Sequence, residues 1–324
     1  MNQVTAVSST RPSVAVIGAG PAGLMAAQAL LGQGFQVELF DAMPSVGRKF
    51  LLAGIGGLNL THAEPFDIFM QRFGEHGATL EPSLQAFGPD ALRAWAADLG
   101  IETFVGTSNR VFPKDMKAAP LLRAWLQRLR AGGLQLHTRH RWLGFDGQAL
   151  RFANPHGELS VQFGAVVLAL GGASWARLGS DGAWVPSLVE RGTQVAPLEA
   201  ANCGFDGLNP WSDYLRQRFA GQPVKPVAIT FAGRKQQGEF VLTDTGVEGS
   251  LVYAFSRALR EHIKLTGQAQ IELDLLPSHS LERVLAELRH ARGPRSLSTH
   301  LKSRLNIAGL KLALLHEVIS AEQM

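Results

Sequence analysis

The run Gly18-Ala19-Gly20-Pro21-Ala22-Gly23 has the spacing that seats a diphosphate against bare main chain. Gly18 permits a tight turn off a strand, and Gly20 leaves room for a pyrophosphate. Gly23 lets a helix pack closely on that strand. A helix opening at Pro21 and Ala22 offers unpaired N–H groups and the positive end of its dipole to phosphate. Asp41 follows Gly23 by eighteen residues, where a carboxylate accepts hydrogen bonds from a ribose 2′-OH and repels a 2′-phosphate.

These residues need a strand, a helix and a second strand to hold them. Val14-Ala15-Val16-Ile17 is an apolar run of the kind that fills a buried parallel strand. An alanine- and leucine-rich helix then runs to about Leu31 and ends at Gly32 and Gly34. Residues 36–40 read as the second strand, closing on Asp41. A glycine motif alone is weak evidence. Strand, turn, helix, strand and acid in that order point specifically to a dinucleotide site.

A second group of candidates lies in residues 47–62, GRKFLLAGIGGLNLTH. Glycines beside Arg48, Lys49, Asn59 and Thr61 read as a loop that starts at Gly47 and wraps a phosphate or a polar ring edge.

Composition sets the outer limits. The chain has 324 residues, 46% hydrophobic and 18% charged, which describes a folded globular protein with room for two domains. Thirty-one basic against 27 acidic residues leave a net charge of only +4, so composition does not call for nucleic acid. Cys203 is the single cysteine. It excludes an internal disulfide, reads as a buried structural thiol and fits a reducing compartment. The uncharged stretch 13–31 is broken by glycines and Pro21, so it reads neither as a membrane span nor as a signal peptide. Residues 1–12 read as a loose lead. A cytoplasmic location is the expectation.

The strings GAGPAGLMAA, FDA and GRKFLLAGIGGLNLTHAEPF resemble the bacterial NAD(P)/FAD-dependent flavoproteins called BaiN-like or aminoacetone-oxidase-like. So do NRVFPKDMKAAPLLRAWL (109–126), VVLALGGASWARLGSDGAW (166–184), ANCGF around Cys203, and EFVLTDTGVEGSLVYAFS (239–256). The resemblance covers nearly the whole chain. It implies an α/β architecture of the two-dinucleotide-binding-domain type: a Rossmann-like FAD-binding domain over 1–196 and an inserted β-rich plus helical domain over 197–324 on the substrate side. It implies a FAD-dependent oxidoreductase with NAD(P)H as a candidate electron donor and a small-molecule substrate. FAD would rest on Gly18, Gly20, Pro21, Ala22, Gly23, Asp41, Ala42, Gly47, Arg48, Lys49, Asn59 and Thr61. The same resemblance puts Arg110-Val111-Phe112-Pro113-Lys114, by chemistry only a basic loop, near the flavin.

Further along, residues 64–100 read as amphipathic helix, with Phe66, Phe69, Phe73, Leu92, Trp95 and Leu99 as core. A short leucine-rich helix spans 118–131 and stops at Gly132-Gly133. Residues 134–145 alternate in a strand-like way, broken by His137, Arg139, His140 and Arg141. His137 and His140 on a strand would face opposite sides with no acid beside them, so no metal is expected. In related folds the backbone of this strand meets the adenine, which assigns Trp142 to the cofactor. The apolar strand 161–172 ends in Gly171-Gly172, also assigned to the cofactor. The superfamily commonly has Ala-Thr-Gly there, and Leu170 stands at the threonine position. Beyond Pro197, residues 224–231, 238–242 and 268–275 read as short strands, 243–246 as a turn, and 280 onward as helices. That helical segment carries Arg283, Arg289, Arg292, Arg295, Lys302, Arg304 and Lys311, read here as a solvated face rather than an RNA-binding one.

Two departures from the family pattern stand out. Its usual GGGRCN is here Gly54-Ile55-Gly56-Gly57-Leu58-Asn59, without the arginine. Its closing segment, a return to the Rossmann sheet with a final glycine-rich turn, has no counterpart before Ser320-Ala321-Glu322-Gln323-Met324. A truncated product, a frameshifted reading or a fragment would each account for that. The alternative reading is therefore a non-catalytic flavoprotein remnant with weak or no FAD binding. A plain NAD dehydrogenase is disfavoured, because it has no use for the 47–62 loop. No side chain stands out as a general acid or base.

Overall fold

The computed structural model describes residues 12–53 and 56–319. The lead (residues 1–11), Gly54 and Ile55 of the glycine-rich stretch, and the closing residues 320–324 lie outside the described residues. The chain divides into two compact units at Leu198/Glu199.

The first unit is built on a four-stranded parallel sheet. Its order is Ala165–Leu168, β1 (Ser13–Ile17), β2 (Gln36–Asp41), then Gln135–Thr138. Val14 is level with Ala165 on one side and Val37 on the other. The alternation of β1 sends Val16 to one core and Ala15 and Ile17 to another. On the Val16 face, α1 (Pro21–Gly32) and the helix Ala118–Ala131 bury Leu24, Ala27, Leu122, Trp125 and Leu129. The opposite face is covered by a three-stranded antiparallel sheet, Arg141–Asp146, Ala149–Asn154 and Gly157–Val161, through Leu150 and Phe152. Phe152 stacks on Phe40 at a centroid distance of 4.4 Å.

Glycine ends both helices in the same way. Gly34 (φ +82°) bonds back to Leu31 O while Phe35 N reaches Leu30 O. Gly133 (φ +94°) and Leu134 repeat the pattern on Arg130 and Leu129. This paired closure needs the left-handed conformation that glycine adopts at no steric cost.

Several expectations change. Residues 134–145 are two strands in different sheets, broken at Arg139, whose φ is +58°. The break turns His140 back, so the His137 and His140 rings lie 5.5 Å apart rather than on opposite faces. An acid is also present: Glu38, from β2, meets His137 Nε2 at 2.8 Å. Among the described residues no group of three ligands forms a metal site. Residues 161–172 likewise divide, Val161 ending one sheet and Ala165–Leu168 pairing with β1. Residues 64–100 are helical as expected, in successive pieces: Phe66–Gln71, a short 3₁₀ turn, Gly77–Ala86 and Pro89–Asp98. The basic stretch at 110–114 is mostly strand, Arg110–Pro113, central in a small antiparallel sheet with Thr61–His62 and Thr103–Val105.

The second unit is a five-stranded antiparallel sheet, in the order Phe205–Asp206, Gly246–Glu248, Arg234–Leu242, Pro223–Phe231, Glu272–Asp274. Its core joins Val227, Ile229, Phe240 and Leu242 to helical Leu215 and Leu251 and to Phe255 in the turn that follows. Three helices follow, Leu281–Leu288, Leu297–Leu305 and Leu310–Val318. Cys203 is half-buried, with its N–H and carbonyl both tied to the buried Ser256 hydroxyl. Among the described residues no helix is long and apolar enough to cross a membrane.

Candidate cofactor site

The turn from β1 into α1 is locked by main-chain bonds. Gly18 N donates to Phe40 O at 2.8 Å, and Ala169 N donates to Ile17 O at 2.8 Å. Gly18 sits at φ +103°, and a Cβ there would lie 2.2 Å from Ala169 O, so only glycine fits. A Cβ on Gly23 would lie 1.8 Å from Gly18 O; this glycine is what lets α1 press onto the turn. Gly20 is the opposite case. A Cβ there would meet nothing within 4 Å, and its backbone is extended (φ −81°, ψ −177°). No side chain caps α1, whose first residue is Pro21. The first-turn N–H groups are therefore free for an anion from outside the chain.

A cavity of about 950 Å³ opens in front of this turn, at the carboxyl ends of the parallel strands. Gly18, Gly20, Pro21, Ala22, Asp41, Gly47, Arg48, Lys49, Asn59 and Gly171 border it. The volume lies at the top of the range for ligand sites. Ala42 and Trp142 border a smaller hollow of about 80 Å³ that also touches Asp41 and Gly18. Gly23 works behind the wall by allowing the helix to dock. Thr61 is buried in a strand level with Val111 and borders neither space, and neither does Gly172. The strand at 110–113 does not border the cavity either, because its pairing turns it into the small sheet.

Arg48 and Lys49 belong to a helix, α2 (Arg48–Ala53), not to an open loop. Gly47, at φ +63°, starts it and donates to Ala19 O at 3.0 Å, which ties α2 to the glycine turn. The Arg48 Nε is buried without a partner. Lys49 crosses to the far wall, donating to Ser174 Oγ at 2.7 Å and to the buried Ser180 Oγ at 3.4 Å. Asp41 receives Ala19 N–H at 2.7 Å on one carboxylate oxygen and Met43 N–H at 2.8 Å on the other. Burial raises its pKa above the usual carboxylate range, against the pull of those two N–H groups and of Arg48. Each oxygen keeps a lone pair for a further donor.

Trp95 packs against the core, as its spacing predicts, and together with Trp125 it also borders the cavity. They meet edge to face at 4.7 Å, and both indole N–H groups converge on Gln28 Oε1, at 3.2 and 2.7 Å. Nothing in the spacing of three residues so far apart in sequence announces that junction. The loop of Gly179, Ser180 and Trp184 was also missed; Trp184 Nε1 ties it to Gly171 O at 3.1 Å. Gln28→Leu removes the shared acceptor and strands two indole N–H groups. We expect a loss of about 2 to 6 kcal/mol in urea unfolding of the apo protein, at about one to three per stranded donor.

The residues present fit a dinucleotide cofactor on three observations: the open space at Gly20, the unpartnered Nε of Arg48, and the buried, unpartnered indole N–H of Trp142 at the smaller hollow.

The chain is 27% identical over 303 residues to the ribosomal RNA dihydrouridine synthase of Escherichia coli, covering 90% of this chain and 71% of that one. With the protein of the same name from Haemophilus influenzae it is 23% identical over 289 residues, covering 88% and 69%. Among solved structures it is similar to a flavocytochrome c3 fumarate reductase, with a TM-score of 0.45 and 18% identity over 67% of this chain and 47% of that one. The model of the HI0933-like protein Rossmann domain matches residues 12–309. Spanning that match and holding the glycine turn on a parallel sheet, the chain belongs to the HI0933-like Rossmann-domain family.

Proposed function

We propose that this chain is a FAD-dependent oxidoreductase, with NAD(P)H as electron donor and a uridine ring in RNA as substrate. The observation that carries the cofactor reading is Gly20: main chain with open space in front of it, at the mouth of a cavity of about 950 Å³. When bound, FAD supplies two-electron chemistry at its flavin N5. The chain's own residues bind and orient. The first-turn N–H groups of α1 hold the diphosphate, with Arg48 beside them as counter-charge. Asp41 accepts from the ribose hydroxyl, and Trp142 and Ala42 border the adenine end. Trp95 and Trp125 form an apolar wall that excludes water. Lys49, pinned by Ser174 and Ser180, sets a fixed positive charge on the facing wall. The substrate reading is supported by the two relatives, both named for dihydrouridine synthesis in ribosomal RNA. It puts a polymer where the family resemblance implies a small molecule.

The test is spectroscopic, then chemical. After reconstitution with FAD the protein should show flavin bands at about 375 and 450 nm, bleached by NADPH or NADH under argon. Uridine-containing RNA added to the reduced protein should gain two hydrogen atoms per modified uridine, read by mass spectrometry. A spectrum without flavin bands overturns the cofactor reading. Bands without hydrogen gain overturn the substrate reading alone.

A further inference from the structure

We infer that the two-helix hairpin 281–305 of the second unit is an RNA-binding surface that grips the phosphate backbone through unpaired arginines. The inference rests on the RNA reading above. The helices Leu281–Leu288 and Leu297–Leu305 are each capped by a serine: Ser280 accepts Arg283 N–H and Ser296 accepts Thr299 N–H. Leu301, Leu305 and Ile307 pack with Val284 and Leu297 beneath them. The connection between the helices, Arg289-His290-Ala291-Arg292-Gly293-Pro294-Arg295-Ser296, is exposed at every residue and contains no acid.

Ion pairing separates this surface from the rest of the unit. Arg216 pairs with Asp213, Lys225 with Glu239, Lys235 with Asp274, and Arg260 and Lys264 with Glu199. Within the basic stretch Arg304 pairs with Glu287, and Lys311 turns inward to the carbonyls of Pro226 and Leu275 at 2.7 Å each, its pKa lowered by burial. Those two therefore leave the basic face that sequence alone suggests. Arg283, Arg289, Arg292, Arg295 and Lys302 remain, each exposed and with no side-chain partner among the described residues. Six cations against Glu282 and Glu287 give 281–305 a net charge of +4, the surplus of the whole chain. Five exposed, unpaired cations gathered on one hairpin whose connection holds no acid present a complement to a polyanion. Arginine's planar fork suits phosphate oxygens in particular.

The experiment measures binding of a fluorescein-labelled, uridine-containing single-stranded RNA to the FAD-loaded full chain across a salt series. It compares wild type with the triple variant R289Q/R292Q/R295Q. Five phosphate contacts predict a slope of log K against log salt of about −3.5, and losing three of them makes it shallower by about 2. At low salt the variant should bind at least tenfold more weakly. Its flavin content and unfolding midpoint should match wild type, because these side chains are exposed and unpartnered. Equal affinity and slope in the two proteins overturn the surface, as does wild type that ignores RNA or binds only anionic phosphatidylglycerol vesicles. Failure of the substrate reading shows separately, as wild-type protein that binds RNA with this slope yet leaves its uridines unreduced.

Discussion

Gly20→Val is expected to abolish FAD retention while the apo protein stays folded. The backbone at Gly20 is already in a region valine adopts readily, and a Cβ added there meets no protein atom within 4 Å. Losing a tolerable helix-capping glycine costs a few tenths to about 1 kcal/mol, and reduced freedom in the unfolded chain offsets a similar amount. The apo unfolding midpoint in urea should therefore shift little. The space the side chain enters is the space the diphosphate requires. We expect FAD affinity to fall at least about 100-fold, equivalent to about 2.7 kcal/mol, in a fluorescence-quenching titration. Unchanged FAD uptake by a folded Gly20→Val protein would remove the basis of the functional reading.

Gly23→Ala, three residues on, should fail for a different reason. One added carbon would lie 1.8 Å from the Gly18 carbonyl oxygen and 3.3 Å from the Ala169 Cβ. The first of these is backbone at the strand end, and it cannot swing aside as a side chain can. Helix α1 would have to lift off the sheet, opening the core of Val16, Leu24 and Leu39. Alanine's better helix propensity returns about 1 kcal/mol. Overpacking against main chain costs about 3 kcal/mol or more, so the balance is strongly destabilising. Gly32→Ala, at the other end of the same helix, meets nothing within 4 Å and should be neutral or slightly stabilising. Thermal unfolding of the three proteins, with and without FAD, separates the effects. Gly20→Val loses the ligand-induced rise in midpoint, Gly23→Ala loses the midpoint itself, and Gly32→Ala loses neither.

Two glycines of one motif thus serve unlike ends, one by leaving space empty and the other by letting it be filled. Their spacing was legible because a strand, a turn and a helix in immediate succession are governed by local sterics. The same locality made the helix Ala118–Ala131 and the strands of the second unit readable: periodicity and glycine stops act within a few residues. The 134–145 stretch misled for the converse reason. Its alternation is interrupted by the polar run from His137 to Arg141, yet only the partners on either side, β2 for one half and Ala149–Asn154 for the other, reveal two sheets. The arginine-rich segment misled likewise, since which cations are neutralised depends on acids and carbonyls far away in the chain.

What the sequence determined by itself was the βαβ unit with its glycine turn, the acid at the end of its second strand and the change of character near residue 197. Each is written in contiguous residues whose backbone preferences need no distant partner. Only the tertiary structure decided which of the predicted residues share one cavity. It brought Arg48, Lys49, Asn59 and Gly171 to the turn, and drew Thr61 into a sheet and Gly23 behind the wall. It also joined Trp95 and Trp125 through Gln28. A cavity is a property of surfaces that fail to meet, and chain spacing carries no record of where that happens.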